Sequence, residues 1–395
     1  MSNSLVKQPI EWITSDYALA EACQRWHNLK MLAIDTEFMR SQTYYPITGL
    51  IQLNDGERNY LIDPLAFENF QPLAELLLDA RVVKILHSCS EDLEVFQRFL
   101  GVVPVNLLDT QTAAAFCGYG FSVGFGNLVA AVLGTELPKG ETRSDWLRRP
   151  LSNAQVSYAA IDVEYLFQLA HVLIMKLKNN ERLHWVTEDC DAVLQAFTEN
   201  QNTDNSYLRV KQAWRLSPRQ LGILKNLATW RERVAQQRDV PRNRVLKEHS
   251  LLEIAQRRPQ HLSKLRSLEG VTERMIRSDG EDIIECVNRG LATQDENLPS
   301  ALPRPLSGTE NRFAKKLRQT VVKLGESMGI AQEVLLKKRD FEALTRAFMV
   351  DQERDEAEVM EAMAAFLTGW RFQLMAPELA KIIVAEQAAK LQDTQ

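Results

Sequence analysis

The sequence is poor in the residues that build disulfide and zinc sites. It has five cysteines, at positions 23, 89, 117, 190 and 286. Their number is odd and no C-x-x-C occurs, so neither a disulfide framework nor a zinc ribbon is indicated. A reducing cytoplasm fits this usage. The six histidines form no H-x-x-x-H pair, which argues against a zinc hydrolase. Long apolar runs are missing too. No stretch of eighteen uncharged apolar residues occurs, so no transmembrane helix is expected. Met1 through Trp12 lacks an apolar signal core. Two glycine-rich pieces, Gly118-Tyr119-Gly120 and Gly124-Phe125-Gly126, lack a following G-K-[ST]. That excludes a nucleotide P-loop and leaves a flexible loop near the site as the expectation.

Carboxylates are what the chain has in telling places. Met31-Leu32-Ala33-Ile34-Asp35-Thr36-Glu37-Phe38 reads as a strand, and Asp35 and Glu37, two apart, then share a face. Tyr158-Ala159-Ala160-Ile161-Asp162 reads as a helix, so Tyr158 and Asp162 lie one turn apart on one side. Between them, His87-Ser88-Cys89-Ser90-Glu91-Asp92-Leu93 places Asp92 near a helix start. Each piece has an ordinary reading. Asp35 and Glu37 can be solvated strand residues, Asp92 can complement a helix dipole, and Tyr158 and Asp162 can be a surface pair. Converging carboxylates repel one another unless a cation neutralises them, and magnesium takes oxygen ligands of this kind. Two such ions, about 4 Å apart, clamp the attacking and leaving oxygens of a phosphodiester. The joint pattern points to metal-dependent phosphodiester hydrolysis.

These three segments resemble the exonuclease motifs of the DEDD superfamily, and Tyr158 resembles its tyrosine branch. Further segments are similar to the bacterial ribonuclease D family. Among them are Thr43-Tyr44-Tyr45-Pro46, Gly49-Leu50-Ile51-Gln52-Leu53, Leu108-Asp109-Thr110-Gln111 and Ser144-Asp145-Trp146-Leu147. The resemblance implies a 3′-to-5′ exoribonuclease that uses magnesium or manganese, two ions per site, and releases 5′-mononucleotides. It implies RNA as the partner, transfer RNA precursors above all, with no membrane and a monomeric chain. By motif, Asp35, Glu37, Asp92 and Asp162 are the implied metal ligands, and Tyr158 positions or helps deprotonate the attacking water. Two other readings stand beside this one: a DNA-directed exonuclease, and a non-catalytic RNA-binding scaffold.

Net charge divides the chain unevenly. Residues 1–200 carry 15 basic and 25 acidic side chains, whereas residues 209–266 carry 15 basic and 4 acidic. A block of net +11 supplies the counterion release that draws in a polyanion. Arg231, Arg233, Arg238, Arg242, Arg244 and Lys247 are the expected RNA contacts. The ordinary reading of such a run is a solvated helical face.

Strand and helix signals alternate through the first ~180 residues. After about residue 205 the strand signals fade. Residues 293–308, with Pro299, Pro303 and Pro305, read as a linker. The segment from Arg238 to Leu246 is echoed by Met328 to Leu336, and both resemble HRDC modules. The expected fold is an α/β ribonuclease-H-like exonuclease domain (1–200) followed by two all-α helical-bundle, HRDC-like domains (207–292 and 309–395). Lys139, Arg143, Arg148 and Arg149 are candidate phosphate holders around Trp146, which either stacks a base or anchors its loop. Asp109 is expected to cap the next helix.

Overall fold

The strand signals become one six-stranded sheet. In the computed structural model, residues 5–138, 140–141, 143–349 and 354–393 are described. Lys139 and Thr142 therefore lie outside the described residues. The strands are β1 (Ile10–Ile13), β2 (Met31–Met39), β3 (Ile47–Asn54), β4 (Asn59–Ile62), β5 (Val83–Leu86) and β6 (Leu107–Asp109). Their order is β1-β4-β3-β2-β5-β6. β1 runs parallel to β4, β2 to β5 and β5 to β6, while β3 is antiparallel to β4. β2 is therefore an interior strand. Its Leu32, Ala33 and Ile34 are buried, and Asp35 and Glu37 follow where burial relaxes.

The helices of this part are α1 (Asp16–Trp26), α2 (Gln71–Leu77), α3 (Ser90–Phe99), α4 (Thr110–Phe116), α5 (Phe125–Leu133), α6 (Asn153–Asn179) and α7 (Leu183–Glu199). α6 packs on β4 and β5. It begins at a capping box in which Ser152 and Gln155 satisfy each other's backbone N–H. Among the described residues it is the one helix long and apolar enough to cross a membrane. Its apolar residues are core residues here: Ala159, Val163, Leu166, Leu169, Ala170, Leu173 and Leu177 are all at most 2% exposed.

The chain divides into two compact units, one of Met1–Glu37, Gly49–Leu194 and Leu306–Gln395, the other of Phe38–Thr48 and Gln195–Pro305. This departs from a division at residue 200, for reasons visible inside each unit. In the second unit, α8 (Pro218–Gln237), α9 (Arg242–Val245), α10 (Glu248–Arg257), α11 (Leu262–Leu265) and α12 (Glu273–Ala292) form a helical bundle. α8 and α12 cross closely because a Cβ at Gly290 would lie 2.7 Å from the Ile223 Cα. The 38–48 connection joins this bundle through Tyr44. Its hydroxyl donates to Glu232 (2.5 Å) and accepts from Arg242 (2.9 Å), and Asp239 accepts from the backbone N–H of Tyr44 and Tyr45.

In the first unit, α13 (Gly308–Met328), α14 (Gln332–Leu335), α15 (Lys338–Phe348), α16 (Glu356–Met363) and α17 (Gly369–Asp393) pack against the sheet domain. Trp370 stacks on Trp185 with ring centroids 4.6 Å apart. Arg371 grips both carboxylate oxygens of Asp189, and Arg182 donates to the Met328 carbonyl at 2.8 Å. A Cβ at Gly118 would sit 2.5 Å from the Gly329 carbonyl oxygen. The glycine-rich loop thus lets two backbones meet. A capped long helix, a four-residue helix and a third helix recur as α8–α9–α10 and α13–α14–α15.

Candidate active site

β2 and α6 bring three carboxylates together. Oxygen atoms of Asp35, Glu37 and Asp162 all lie within 4.8 Å of one another. Strand alternation puts Asp35 and Glu37 on one side, as expected from their spacing, and the helical turn puts Tyr158 beside Asp162. The Tyr158 hydroxyl hydrogen-bonds the Asp162 carboxylate.

Asp92 comes from the first turn of α3 and is 7% exposed. Its Oδ1 accepts from the Thr36 hydroxyl at 2.5 Å, which ties α3 to β2 between the two first-motif carboxylates. Asp35 is held from the neighbouring strand, where the buried Gln52 amide donates to its Oδ2 at 2.7 Å. Thr36 and Gln52 are supporting groups that the spacing of the acidic motifs did not disclose. Asp109 caps α4, as expected, through the N–H groups of Gln111 and Thr112. It also accepts from Ser88 and Cys89, so one carboxylate fixes the approach to α3.

The electrostatics of this cluster are those of a site lacking positive charge. Burial raises Asp35 to about 6, against the bonds from Thr36 and Gln52. Burial, then Asp35, Asp162 and Asp92, raises Glu37 to about 10. Asp92 and Asp162 are pushed well up, by burial first and by Asp35 second. An oxygen-only donor set that resists its own charge fits a hard divalent cation. Asp35, Glu37 and Asp162, whose oxygens meet, could hold it, and Asp92 is near enough for its charge to act on Glu37.

This has a consequence for stability. An acid whose folded pKa is raised contributes most below its unfolded pKa, near 4, and that contribution is lost as pH rises through the folded value. In chelator, the melting temperature should therefore fall as pH rises from about 4 to about 6, where Asp35 is ionised in the unfolded chain and still protonated in the folded one, and Glu37, raised to about 10, carries the fall to higher pH. Magnesium or manganese should offset the loss. The gap between metal and chelator should widen from pH 5 to pH 8 by on the order of a few degrees. Thermal melts across that range check it, and a gap independent of pH would contradict it.

Other expected site residues settle differently. Trp146 is 1% exposed and packs with Leu50, Leu61, Leu151 and Ala159, so it anchors its loop and offers no face to a base. Its backbone lies against Gly49, where a Cβ would be 2.7 Å from the Trp146 carbonyl oxygen. Arg149 is engaged by Asp63 at 2.6 Å and by the carbonyls of Gly49 and Trp146, which removes it from phosphate binding. Arg143 and Arg148 are exposed. His87 is half-buried, bonded to Thr110 at 2.9 Å, and takes no place among the clustered carboxylates.

The basic block is less free than its charge implied. Arg231 is 6% exposed and donates to the Leu246 carbonyl, so the expectation that it meets RNA is corrected. Arg238 is bound to Asp279 and Arg242 to Glu232. Arg233 is exposed, with Asp204 3.7 Å away. Arg244 and Lys247 are exposed.

Comparison with known proteins agrees with this geometry. The family profile for 3′-5′ exonucleases matches residues 10–178, and that for the HRDC domain matches residues 220–287. Ribonuclease D of Pseudomonas paraeruginosa is 43% identical over 338 residues, covering 86% of this chain and 90% of that protein. The chain belongs to the ribonuclease D family. Ribonuclease D of Escherichia coli is 35% identical over 374 residues, 94% of this chain and 98% of that one. The crystal structure of Escherichia coli RNase D, described as an exoribonuclease involved in structured RNA processing, superposes with a TM-score of 0.84. It is 34% identical and covers 96% of this chain and 99% of its own. Family membership makes the protein a 3′-to-5′ exoribonuclease, with a mixed-sheet exonuclease domain followed by a helical HRDC domain.

Proposed function

We propose that the chain is a tyrosine-branch DEDD exoribonuclease that trims the 3′ trailers of transfer RNA precursors and other structured RNAs, releasing 5′-mononucleotides. The observation that carries this reading is the meeting of Asp35, Glu37 and Asp162 within 4.8 Å, beside a tyrosine bonded to Asp162. These three and Asp92 hold the divalent cations, two by this reading. When bound, the ions neutralise the scissile phosphate and make a water acidic enough to attack near neutral pH. The water oxygen bonds to phosphorus and the bond to the 3′ oxygen of the preceding nucleotide breaks, which leaves a new 3′ hydroxyl. Tyr158 orients the water, and Thr36 and Gln52 keep two of the carboxylates in place. The chain acts as a cytoplasmic monomer, and residues 309–395 form a second, divergent HRDC-like domain.

End-labelled transfer RNA precursors digested with magnesium, manganese or chelator test this reading. Expected are single-nucleotide steps from the 3′ end that stop in chelator. Chelator-resistant cleavage, internal cuts, or preference for the DNA counterpart would overturn it.

Of the six expected contacts, Arg233, Arg244 and Lys247 are the ones left to supply RNA affinity in the first helical domain. A double reversal, Arg244→Glu with Lys247→Glu, should weaken precursor binding. It should also flatten the log–log salt dependence by about 1.4–1.8, from ~0.7 (single strand) to ~0.9 (duplex) per phosphate. Hydrolysis of a pentanucleotide should change little. An unchanged salt slope in a folded variant would remove this surface from the reading.

A further inference from the structure

The C-terminal helices of the first unit carry a groove that the site does not use. α13 and α15 enclose a space of about 770 Å³. Lys315, Arg318 and Lys323 stand on one wall and Lys338 on the other, with Glu326 and Glu342 the acidic groups present. Glu342 lies between two cations, 3.8 Å from Lys338 and 3.7 Å from Arg346. We propose that this groove binds the phosphodiester backbone of RNA, beyond the 3′ end engaged in the active site. The proposal rests on RNA being the substrate and adds a second place where it is held.

Charge complementarity argues for this occupant. Residues 312–346 contain nine Lys and Arg against four Asp and Glu. Residues 351–361 contain one against six. The segment is near neutral as a whole, yet its positive charge is gathered on the two helices that form the groove. Lys315, Lys323 and Lys338 are exposed, so they keep the mobility and hydration that suit phosphate contacts. Lys316 does not line the groove and pairs with Glu386 at 2.5 Å.

The groove is built for backbone and not for bases. Its aromatic residue, Phe341, is 2% exposed and lies under the Arg318 guanidinium, 5.4 Å from ring centroid to charge. It therefore has no free face on which a base stacks. Beside an apolar floor that includes Leu306, Ala314 and Val322, the groove presents point charges, which fix position without reading sequence. The groove is also anchored. The Trp185–Trp370 stack, the Arg371–Asp189 pair and the Arg182 bond to Met328 join these helices to the sheet domain. RNA bound there is held by the same compact unit that carries Asp35 and Asp162.

The test uses the full chain carrying Lys315→Glu, Lys323→Glu and Lys338→Glu, with a fluorescein-labelled transfer RNA precursor in chelator. Fluorescence anisotropy should show affinity lowered about tenfold or more at low salt, and a log–log salt slope flattened by about 2–3. Replacement of the same lysines by Gln should lower affinity in the same direction by a smaller factor. Pentanucleotide hydrolysis in magnesium should match the parent for both variants. Affinity and slope equal to the parent, with an unchanged circular dichroism spectrum, would overturn the proposal and leave the groove to an acidic protein partner. Loss confined to the Glu variant would also overturn it, since repulsion and not a missing contact would then be the cause. Failure of the parent to cut RNA would sink the proposed function but would not alter this binding result.

Discussion

Asp35→Asn should lower RNA hydrolysis by at least on the order of 10²–10³-fold and should make the chelated protein more stable than the parent. The first effect follows from the place of Asp35 in the cluster. It lies among the oxygens that meet within 4.8 Å, and it contributes to the raised pKa of Glu37, Asp92 and Asp162. Removing its charge weakens the field that holds cations, and losing one group that stabilises developing charge typically costs about 10²–10³ in rate. The second effect has the opposite sign for the same reason. Without metal, the Asp35 carboxylate is buried among like charges, and a neutral amide relieves that repulsion. Asparagine keeps a carbonyl oxygen for the Gln52 amide, so the sheet should be undisturbed. Asp162→Asn and Asp92→Asn should behave alike. Three measurements decide: turnover on a short oligonucleotide, manganese binding by calorimetry, and melting in chelator. Activity within tenfold of the parent would remove Asp35 from the metal site. A chelated variant less stable than the parent would show that its charge is not the source of strain.

The acidic cluster was legible in sequence because its geometry is local. A period of two aligns Asp35 with Glu37, and a spacing of four aligns Tyr158 with Asp162. The supports were not legible, because they cross elements. The Gln52 bond to Asp35 depends on which strands are neighbours, and the Thr36 bond to Asp92 depends on where α3 lands. The basic block shows the limit from another side. Arg231 reads as one more surface cation, yet it stands seven residues from Leu224, four from Leu227 and three from Val234. That spacing puts it on the buried stripe of α8, where its aliphatic stem packs and its head finds a backbone carbonyl. The bounds of α12 are hard to read from sequence because its apolar stripe is sparse and contains Gly280 and Gly290, which look like helix breakers. Gly290 is there for a close helix crossing, and only the partner helix reveals that. β1 is four residues long and its pairing with β4 is its main support, so local pattern carried little signal.

Tyr158→Phe should lower turnover by about 10²-fold, within the range for loss of a group that handles a proton or its water, while RNA affinity stays close to the parent. Burial, then Asp162, Glu37 and Asp35, drives the Tyr158 phenol far above its ordinary pKa of about 10. The hydroxyl therefore keeps its proton and serves as a hydrogen-bond group instead of a base. Its position is set from outside the motif. Trp146 packs beneath it, with ring centroids 6.2 Å apart. The backbone of Gly140 crosses its face so closely that a Cβ there would lie 1.7 Å from the Tyr158 Cε2. Only glycine fits at position 140 unless the ring moves. Gly140→Ala should therefore reproduce part of the Tyr158→Phe loss, with kcat falling and the binding constant for RNA in chelator unchanged. The double variant should be no worse than Tyr158→Phe alone, because both substitutions act on one hydroxyl. Single-turnover rates and anisotropy measured side by side make the comparison. Wild-type turnover in Tyr158→Phe would rule out the water-orienting role, and additive losses in the double variant would separate Gly140 from it.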